Sequence, residues 1–280
     1  MASKTPRCIC VVSKYLTPDI LGVADQVNKF FSQGKCKVCY EKSLGRRLSI
    51  RNLFNVEKPP VNCDLIITIG GDGTLLRTVF ALKGKKVPVV GIRKGAMGFL
   101  AEIEADHKLP FYLSRIARGD FNVEERTKLE VKLNGKKVGD VLNDAVITTA
   151  LPGKIQKFSI EIHGDKIDEI AADGIIVSTP TGSTAYALSA GGSIIDPLLD
   201  AYEIVPISPF RLGTRPIVVP PWAKTTIRII TERRGFLVLD GYKTFAITGK
   251  DKVEITKAKT KAYLVKFEQS FYKRVREKLI

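Results

Sequence analysis

Several features that would assign this chain of 280 residues to a familiar class are scarce or missing. No apolar run approaches the roughly 20 residues that cross a bilayer. The opening Met1-Ala2-Ser3-Lys4-Thr5-Pro6-Arg7 lacks the apolar stretch of a signal peptide. A cytoplasmic protein with no membrane partner is the expectation. Only His107 and His163 occur, and neither lies in a motif that would set it beside a nucleophile, which speaks against Ser-His catalysis. The cysteines are Cys8, Cys10, Cys36, Cys39 and Cys63. Cys36-Lys37-Val38-Cys39 has redox or zinc spacing, but no second pair or histidine stands at a suitable distance. Alternation over Cys36, Val38 and Tyr40 predicts a strand with the two cysteines on opposite faces, which makes them small core residues. Neither a Walker loop nor a Gly-x-Gly-x-x-Gly turn is present, so any phosphate is handled by another design. No internal repeat or low-complexity tract is visible.

What is there fits a globular protein: 44% apolar and 26% charged residues, enough for one large domain or two modest ones. The balance of 45 basic and 29 acidic residues, net +16, calls for an anionic partner or a solvated basic surface. Lys83, Lys85, Lys86, Arg93 and Lys94 cluster without an intervening acid, and residues 243–280 are again strongly basic. A polyphosphorylated small molecule suits the first cluster as well as a duplex does. The second reads as a solvated helix face.

Strand and helix alternate through the first hundred residues. Arg7–Ser13, Cys36–Glu41, Asp64–Ile69 and Val87–Ile92 read as strands, with helices over Asp19–Phe31 and from Thr74 to Leu82. That order predicts an α/β domain with a mostly parallel sheet. Near residue 120 the pattern changes to alternating runs. Phe121–Leu133 and Lys136–Thr149 flank Asn134-Gly135, Phe158–His163 and Lys166–Ile170 flank Gly164-Asp165, and short strands continue to Phe267. This predicts an all-β, sandwich-like second domain. Glu268–Ile280 reads as a helix. The expected division is 1–118, 119–267 and 268–280.

The richest signal is Gly70-Gly71-Asp72-Gly73-Thr74, directly after the β-branched run ending at Ile69. Glycines at a strand end let the backbone turn and approach a ligand, and the following helix offers free N–H groups to an anion. A carboxylate inside an anion-binding turn is costly unless it binds a metal or accepts a proton from a nucleophile. Asp72 therefore reads as a phosphoryl-transfer residue, against the plainer reading of a structural strand-turn-helix. Gly91–Leu100 is a second glycine-bracketed loop, in which Arg93 and Lys94 offer charge to phosphate. In Asp173–Gly192 an apolar strand runs into small and hydroxylated residues that can hydrogen-bond ribose or phosphate, and Tyr186 can stack on a base. A polar turn with an N-cap explains Thr181-Gly182-Ser183 equally well. Asn143-Asp144 interrupts an apolar strand. An inward carboxylate or amide there suits a ribose diol, and a bulge is the alternative.

Taken in order, Gly70–Thr74, Gly91–Leu100, Asn143-Asp144, Asp173–Gly192, Pro206–Pro220 and Phe271–Leu279 resemble the NAD kinase family over most of the chain. The resemblance implies transfer of a triphosphate's terminal phosphoryl to the adenosine-ribose 2′-hydroxyl of NAD. It also implies magnesium carried in with ATP, a homodimer or homotetramer, and a last helix returning to the first domain. On that resemblance Asp72 is catalytic. Gly70, Gly71, Gly73 and Thr74 cradle phosphate, together with Arg77, Arg93 and Lys94. Leu76, Phe99, Asn143, Asp144, Asp173, Thr181, Thr184, Ala185, Tyr186, Ser189 and Asp240 line the NAD site, and no residue is assigned to a protein-held metal. The chain departs from the family pattern at Asp144 (usually Glu), Arg93 (often Asn), Phe210 (often His) and Tyr242 (often Gln). These changes touch specificity more than the reaction.

Lipid kinases and phosphofructokinases share the glycine-aspartate turn but are not expected to combine Thr181–Tyr186 with Asn143-Asp144. A nucleic-acid-binding protein is suggested only by the net charge, and 8% aromatic residues form no stacking stripe. No nucleic-acid partner is expected. An NADP sensor without activity is disfavoured by the intact Asp72. ATP and polyphosphate both stay open as donors.

Overall fold

The β-branched, largely apolar runs of the N-terminal half become mostly buried parallel strands, and the amphipathic segments between them become helices. The computed structural model describes residues 5–34, 36–95, 98–151, 153–267 and 270–279. The chain forms two units, Met1–Glu125 with Ala262–Ile280, and Arg126–Lys261.

In the first unit the elements run β1 (Cys8–Val12), α1 (Pro18–Ser32), β2 (Lys37–Glu41), α2 (Lys42–Arg47), β3 (Leu53–Phe54), β4 (Leu65–Ile69), α3 (Asp72–Ala81), β5 (Val89–Arg93), β6 (Ile103–Glu104) and α4 (Leu109–Arg118). The parallel order is β3-β2-β1-β4-β5, with β6 on β5. Every residue of β1 and β4 is buried, as a sheet covered on both faces requires. Helix α1 starts at Thr17, whose hydroxyl accepts the Ile20 N–H, and buries Ile20, Val23, Ala24, Val27 and Phe31. Each larger apolar side chain of that stripe contributes about 1.5–3 kcal/mol on burial. Because β2 lies on one side of β1 and β4 on the other, strand order reverses between β1 and β4. Ligands of open α/β sheets bind beyond the carboxyl ends of strands at such a point, and Gly70 follows β4 there.

The chain continues with β7 (Asn122–Leu133), β8 (Lys136–Val141), β9 (Asp144–Thr149), β10 (Gln156–Ile162), β11 (Asp165–Ala172), β12 (Gly174–Ser178), a 3-10 turn (Gly182–Thr184) and α5 (Tyr186–Ser189). It ends with β13 (Tyr202–Ile207), β14 (Ile217–Val219), β15 (Thr225–Ile229), β16 (Gly235–Leu239), β17 (Lys243–Ile247), β18 (Val253–Lys266) and α6 (Phe271–Leu279). In the second unit one antiparallel sheet runs β14-β13-β12-β9-β16-β17, and β11-β10-β15-β18 form a second antiparallel array. The last part of β18 lies in the first unit, where Leu264 pairs with Val89 of β5. Among the described residues no helix is long and apolar enough to cross a membrane.

Several elements differ from the sequence reading in detail. The run Lys136–Thr149 is not one strand. It divides at Leu142-Asn143, with β8 pairing to β7 and β9 entering the six-stranded sheet. Conversely, the last of the short strands expected up to Phe267 are one continuous strand, β18. Its lysine-rich middle alternates, Ala258 buried and Lys259 exposed, so it keeps a solvated face without leaving the sheet. Helix α3 begins two residues early, at Asp72, with Gly71 as its N-cap. Helices α2 and α4 were not anticipated. Helix α4 carried a legible signal in Leu109, Leu113 and Ile116, closed by Gly119 in the left-handed region. Cys39 is buried in β2, whereas Cys36 precedes that strand and is partly exposed. Ala96, Met97, Glu268, Gln269 and Ile280, parts of the predicted loop and helix, lie outside the described residues.

Candidate active site

The glycine turn is built by sterics before any ligand is considered. Gly70 has φ 141°, a region L side chains rarely adopt, and a Cβ there would stand 2.6 Å from Thr74 Oγ1. Gly71 and Gly73 are different: added Cβ atoms would meet no protein atom within 4 Å. Nothing in the chain's own packing requires glycine at those two positions, so the space they leave is open to a ligand. Thr74 Oγ1 is buried in the same turn and has no hydrogen-bond partner among the described residues.

Asp72 is oriented by three backbone N–H groups. Phe99 and Leu100 donate to Oδ2 at 2.6 and 3.1 Å, and Ala101 donates to Oδ1 at 3.0 Å. A carboxylate has about four lone-pair positions, so one position of Oδ1 is given no donor by the described residues. Gly98 makes this clasp possible, since a Cβ there would overlap Asp72 Oδ1. Sequence reasoning singled out Gly98 only as part of a phosphate-approach loop and missed its service to Asp72.

The clasping segment is itself held from the C-terminal end of the chain. Arg274 Nη1 donates to the Phe99 carbonyl at 2.7 Å, and Nη2 pairs with Glu102 Oε2. Lys266 Nζ reaches the same carboxylate at 2.9 Å, and the Phe267 N–H donates to Glu102 Oε1 at 3.3 Å. Burial opposes the ionisation of Glu102, yet the Lys266 and Arg274 charges prevail and hold its carboxyl below the usual range. The signal for this cluster was an acid, Glu102, inside the otherwise apolar stretch Leu100–Ile103.

The other predicted cations each have a partner or stand in solvent. Arg77 Nη2 pairs with Glu41 Oε1 at 3.0 Å. Arg93 Nη2 pairs with Glu104 Oε2 at 2.6 Å, and its Nη1 donates to the Gly95 carbonyl at 3.1 Å. Lys94 is exposed. Lys278, which the sequence reading did not select, stands 4.0 Å above the Phe99 ring. Burial pushes its ammonium down to about 8. The Asp72 charge opposes that shift, while Arg274 and Arg93 reinforce it. Leu76 is buried in α3, and Phe99 is half-buried under Lys278.

The second unit holds a cavity of about 390 Å³, lined by Asn143, Asp144 and Asp240 among polar groups and by Val146, Ala185 and Tyr186 among apolar ones. Its polar side is set by the break between β8 and β9. Asp240 sits at φ 48° in the Asp240-Gly241 turn joining β16 to β17. From there its carboxylate accepts the N–H groups of Leu142 (2.9 Å), Asn143 (2.8 Å) and Asp144 (3.2 Å), which a continuous ladder would otherwise satisfy. The Thr179–Tyr186 loop is stitched to the same break: Thr179 N–H donates to the Asn143 carbonyl at 2.8 Å, and Thr179 Oγ1 to the Leu142 carbonyl at 2.6 Å. Tyr186, at the cavity, is 47% exposed, which suits its ring to stacking.

Asn143 and Asp144 bring to this wall acceptors for which the described residues supply no donor. Asn143 Oδ1 is buried with no hydrogen-bond partner among the described residues. Asp144 is 6% exposed, and burial, then the Asp240 charge, pushes its carboxyl up to about 7. Asp240 is pushed up to about 6 by burial, against the three N–H donors and the Lys128 charge. The wall therefore suits a ligand that brings hydroxyl or amino donors. Of the remaining predicted residues, Thr181 is buried, Thr184 Oγ1 donates to the Thr181 carbonyl at 3.4 Å, and Ser189 is exposed in α5. Asp173 precedes β12, where its carbonyl accepts the Thr149 N–H and the Thr148 hydroxyl. These four stand outside the cavity's lining.

Residues 9–121 match the ATP-NAD kinase N-terminal domain, and residues 142–267 match the ATP-NAD kinase C-terminal domain. An NAD kinase of Methanothermobacter thermautotrophicus is 36% identical over 275 residues, covering 97% of this chain and 96% of that one. One of Thermococcus gammatolerans is 44% identical over 213 residues, covering 75% of this chain and 76% of its own. Among solved structures, yeast NADH kinase complexed with NADH aligns with a TM-score of 0.87 at 25% identity, covering 99% of this chain and 88% of that one. An NAD kinase from Archaeoglobus fulgidus in complex with ATP aligns with a TM-score of 0.76 at 28% identity, covering 97% and 96%. The architecture is the one these neighbours share: an α/β domain with a largely parallel sheet, an antiparallel β domain and a C-terminal helix.

Proposed function

We propose that this chain, which belongs to the ATP-NAD kinase family, transfers the terminal phosphoryl group of ATP to the 2′-hydroxyl of the adenosine ribose of NAD, giving NADP. The observation that carries the reading is Asp72, clasped by three N–H groups on the first turn of α3, with one acceptor position of Oδ1 given no donor by the described residues. In this reading that position accepts the 2′-hydroxyl proton. The ribose oxygen forms a bond to the γ-phosphorus, the bridging P–O bond breaks, and ADP leaves with the electron pair. Positioning and charge neutralisation do most of the work in such transfers, and a placed base adds about 10²–10⁴-fold.

Gly70, Gly71, Gly73 and Thr74 are assigned to the donor's phosphates, with Arg77, Arg93 and Lys94 as the nearby positive charge. The assignment is supported by the absence of described protein atoms within 4 Å of an added Cβ at Gly71 or Gly73 and by the Thr74 hydroxyl, which has no hydrogen-bond partner among the described residues. Asn143 and Asp144 are assigned to the adenosine, whose amino and hydroxyl donors match their open acceptors. Tyr186 and Ala185 serve as its apolar wall, Asp240 holds the backbone beneath, and Asp173, Thr181, Thr184, Ser189, Leu76 and Phe99 are the outer residues of the substrate sites. Among the described residues no three carboxylates, thiols or imidazoles gather as a metal cage. In this reading magnesium is carried in by the ATP phosphates, and Asp72 is the carboxylate that the glycine turn offers beside them. When bound, the ion neutralises phosphate charge. We further place the enzyme in the cytoplasm as a homodimer or homotetramer, and keep polyphosphate as a second donor because of the net charge of +16.

The test is NADP formation from NAD with magnesium and ATP, run beside polyphosphate and with Asp72→Asn as control. Product from the wild type and none above about 1% from the variant is the expected result. Full turnover by Asp72→Asn would reject the role of Asp72, and no product with either donor despite NAD binding would reject the reaction.

A further inference from the structure

We propose that Arg274, on the C-terminal helix, is a positioning residue for phosphoryl transfer: it holds the Phe99–Glu102 segment whose N–H groups orient Asp72. The proposal rests on the assignment of Asp72 made above and adds to it a group about two hundred residues away in sequence.

Each link is a direct contact within the first unit. Asp72 is oriented by the N–H groups of Phe99, Leu100 and Ala101. The carbonyl of Phe99 accepts from Arg274 Nη1 at 2.7 Å, so one residue carries both the clasp on Asp72 and the grip of the helix. Arg274 Nη2 fixes the other end of the segment through Glu102. A planar guanidinium can reach a carbonyl and a carboxylate at once in fixed geometry, which an ammonium cannot.

Helix docking alone does not explain an arginine here. Arg274 is the one buried side chain of α6 among the described residues, 4% exposed, where an amphipathic helix ordinarily buries leucine or isoleucine. A buried ion pair is weak as a source of stability compared with apolar packing of similar volume. Glu102 is also already paired with Lys266 at 2.9 Å, so its charge is compensated without Arg274. Among the described residues, Arg274 is the side chain that donates to the Phe99 carbonyl. The segment follows Gly98, which has no side chain to pack, so a clamp from outside limits its freedom. Misplacement of a reacting group by about 1 Å can cost a factor of about 10² in rate.

The experiment compares wild type, Arg274→Met and Arg274→Lys in the full chain. It uses steady-state kinetics for NADP formation, thermal melting, and amide hydrogen exchange of the peptide spanning residues 98–102. We expect Arg274→Met to lower kcat about 10–100-fold while KM for NAD changes less than about threefold, at a temperature where the variant is folded. Exchange should accelerate in the 98–102 peptide and not across the sheet strands of the first unit. Arg274→Lys should regain melting temperature but little of kcat, because one ammonium replaces a two-pronged contact. It also serves if the methionine variant does not fold. Unchanged exchange in the 98–102 peptide overturns the proposal whether or not the protein is active. So does unchanged kcat, or loss spread evenly over exchange, melting and KM. A wild type that makes no NADP would instead overturn the assigned reaction and leave the exchange result to decide the clamp.

Discussion

Asp144 and Asp240 line one cavity with no ion pair to either carboxylate among the described residues, and both titrate late: Asp144 at about 7, through burial and the Asp240 charge, and Asp240 at about 6, through burial. The groups that face them are Asn143 beside Asp144, the three N–H donors of residues 142–144, and Lys128 of β7, whose own ammonium burial pushes down. With Asp144 on the ribose as proposed, its ionised form offers acceptors to two hydroxyls, whereas the protonated form gives up one of those acceptor positions. NAD affinity measured by calorimetry should therefore rise between about pH 6 and pH 8, and Asp144→Asn should flatten the profile. A wild-type affinity that stays constant or falls over that range would remove Asp144 from the ribose. Stability runs the other way. An acid whose pKa is raised on folding from 3.8 to about 7 favours the folded state below the lower value, and that advantage is lost as pH rises through the upper one. In the ligand-free protein Asp144→Asn should thus raise the melting temperature more near pH 8 than near pH 5.

The pieces of secondary structure that carry these side chains were legible to different degrees. The β4-turn-α3 unit was plain, because a β-branched run closed by Gly70, Gly71 and Gly73 suits a buried strand that turns sharply into a helix and suits little else. The polar pair Asn143-Asp144 was visible as an interruption. That it marks the passage from β8 in one sheet to β9 in another was not, since periodicity reports which face a residue takes and not which sheet it joins. The clasp on Asp72 was hidden for a similar reason: it consists of backbone N–H groups from Phe99 to Ala101, and those leave no trace in residue type. Gly182 offers a test at this scale. It opens the 3-10 turn behind Asn143, and an added Cβ would overlap the Asn143 backbone carbonyl, which cannot rotate away. Gly182→Ala should cost about 1–3 kcal/mol of stability and weaken NAD binding while leaving ATP binding nearly intact. A melting curve and paired titrations check it, and a variant with native NAD affinity would detach the 179–186 loop from that role.

Over the whole molecule, the first unit is discontinuous in sequence: Met1–Glu125 is completed by Ala262–Ile280 after an excursion of the chain through Arg126–Lys261. No turn or linker announces this, because β18 runs unbroken through Lys261, its burial passing from alternating before that residue to continuous after it, and the basic excess runs through both. The returning segment is nonetheless essential to the first unit's interior. Leu264, Val265 and Phe267 are buried, Leu264 pairs with β5, and Glu102 takes both of its cations from this segment. Deleting it removes three apolar side chains worth about 1.5–3 kcal/mol each and leaves a buried carboxylate unpaired, which costs about 3–5 kcal/mol more. The sum is comparable with the entire stability of an ordinary domain, about 5–15 kcal/mol. Residues 1–125 alone should therefore show no cooperative thermal transition, while the same residues joined by a flexible linker to 262–280 should regain one. Residues 126–261, which form their unit from one continuous stretch, should melt cooperatively without the rest. Circular dichroism of the three fragments decides the matter, and a cooperative transition in 1–125 by itself would mean that the returning strand and helix decorate the first unit instead of completing it.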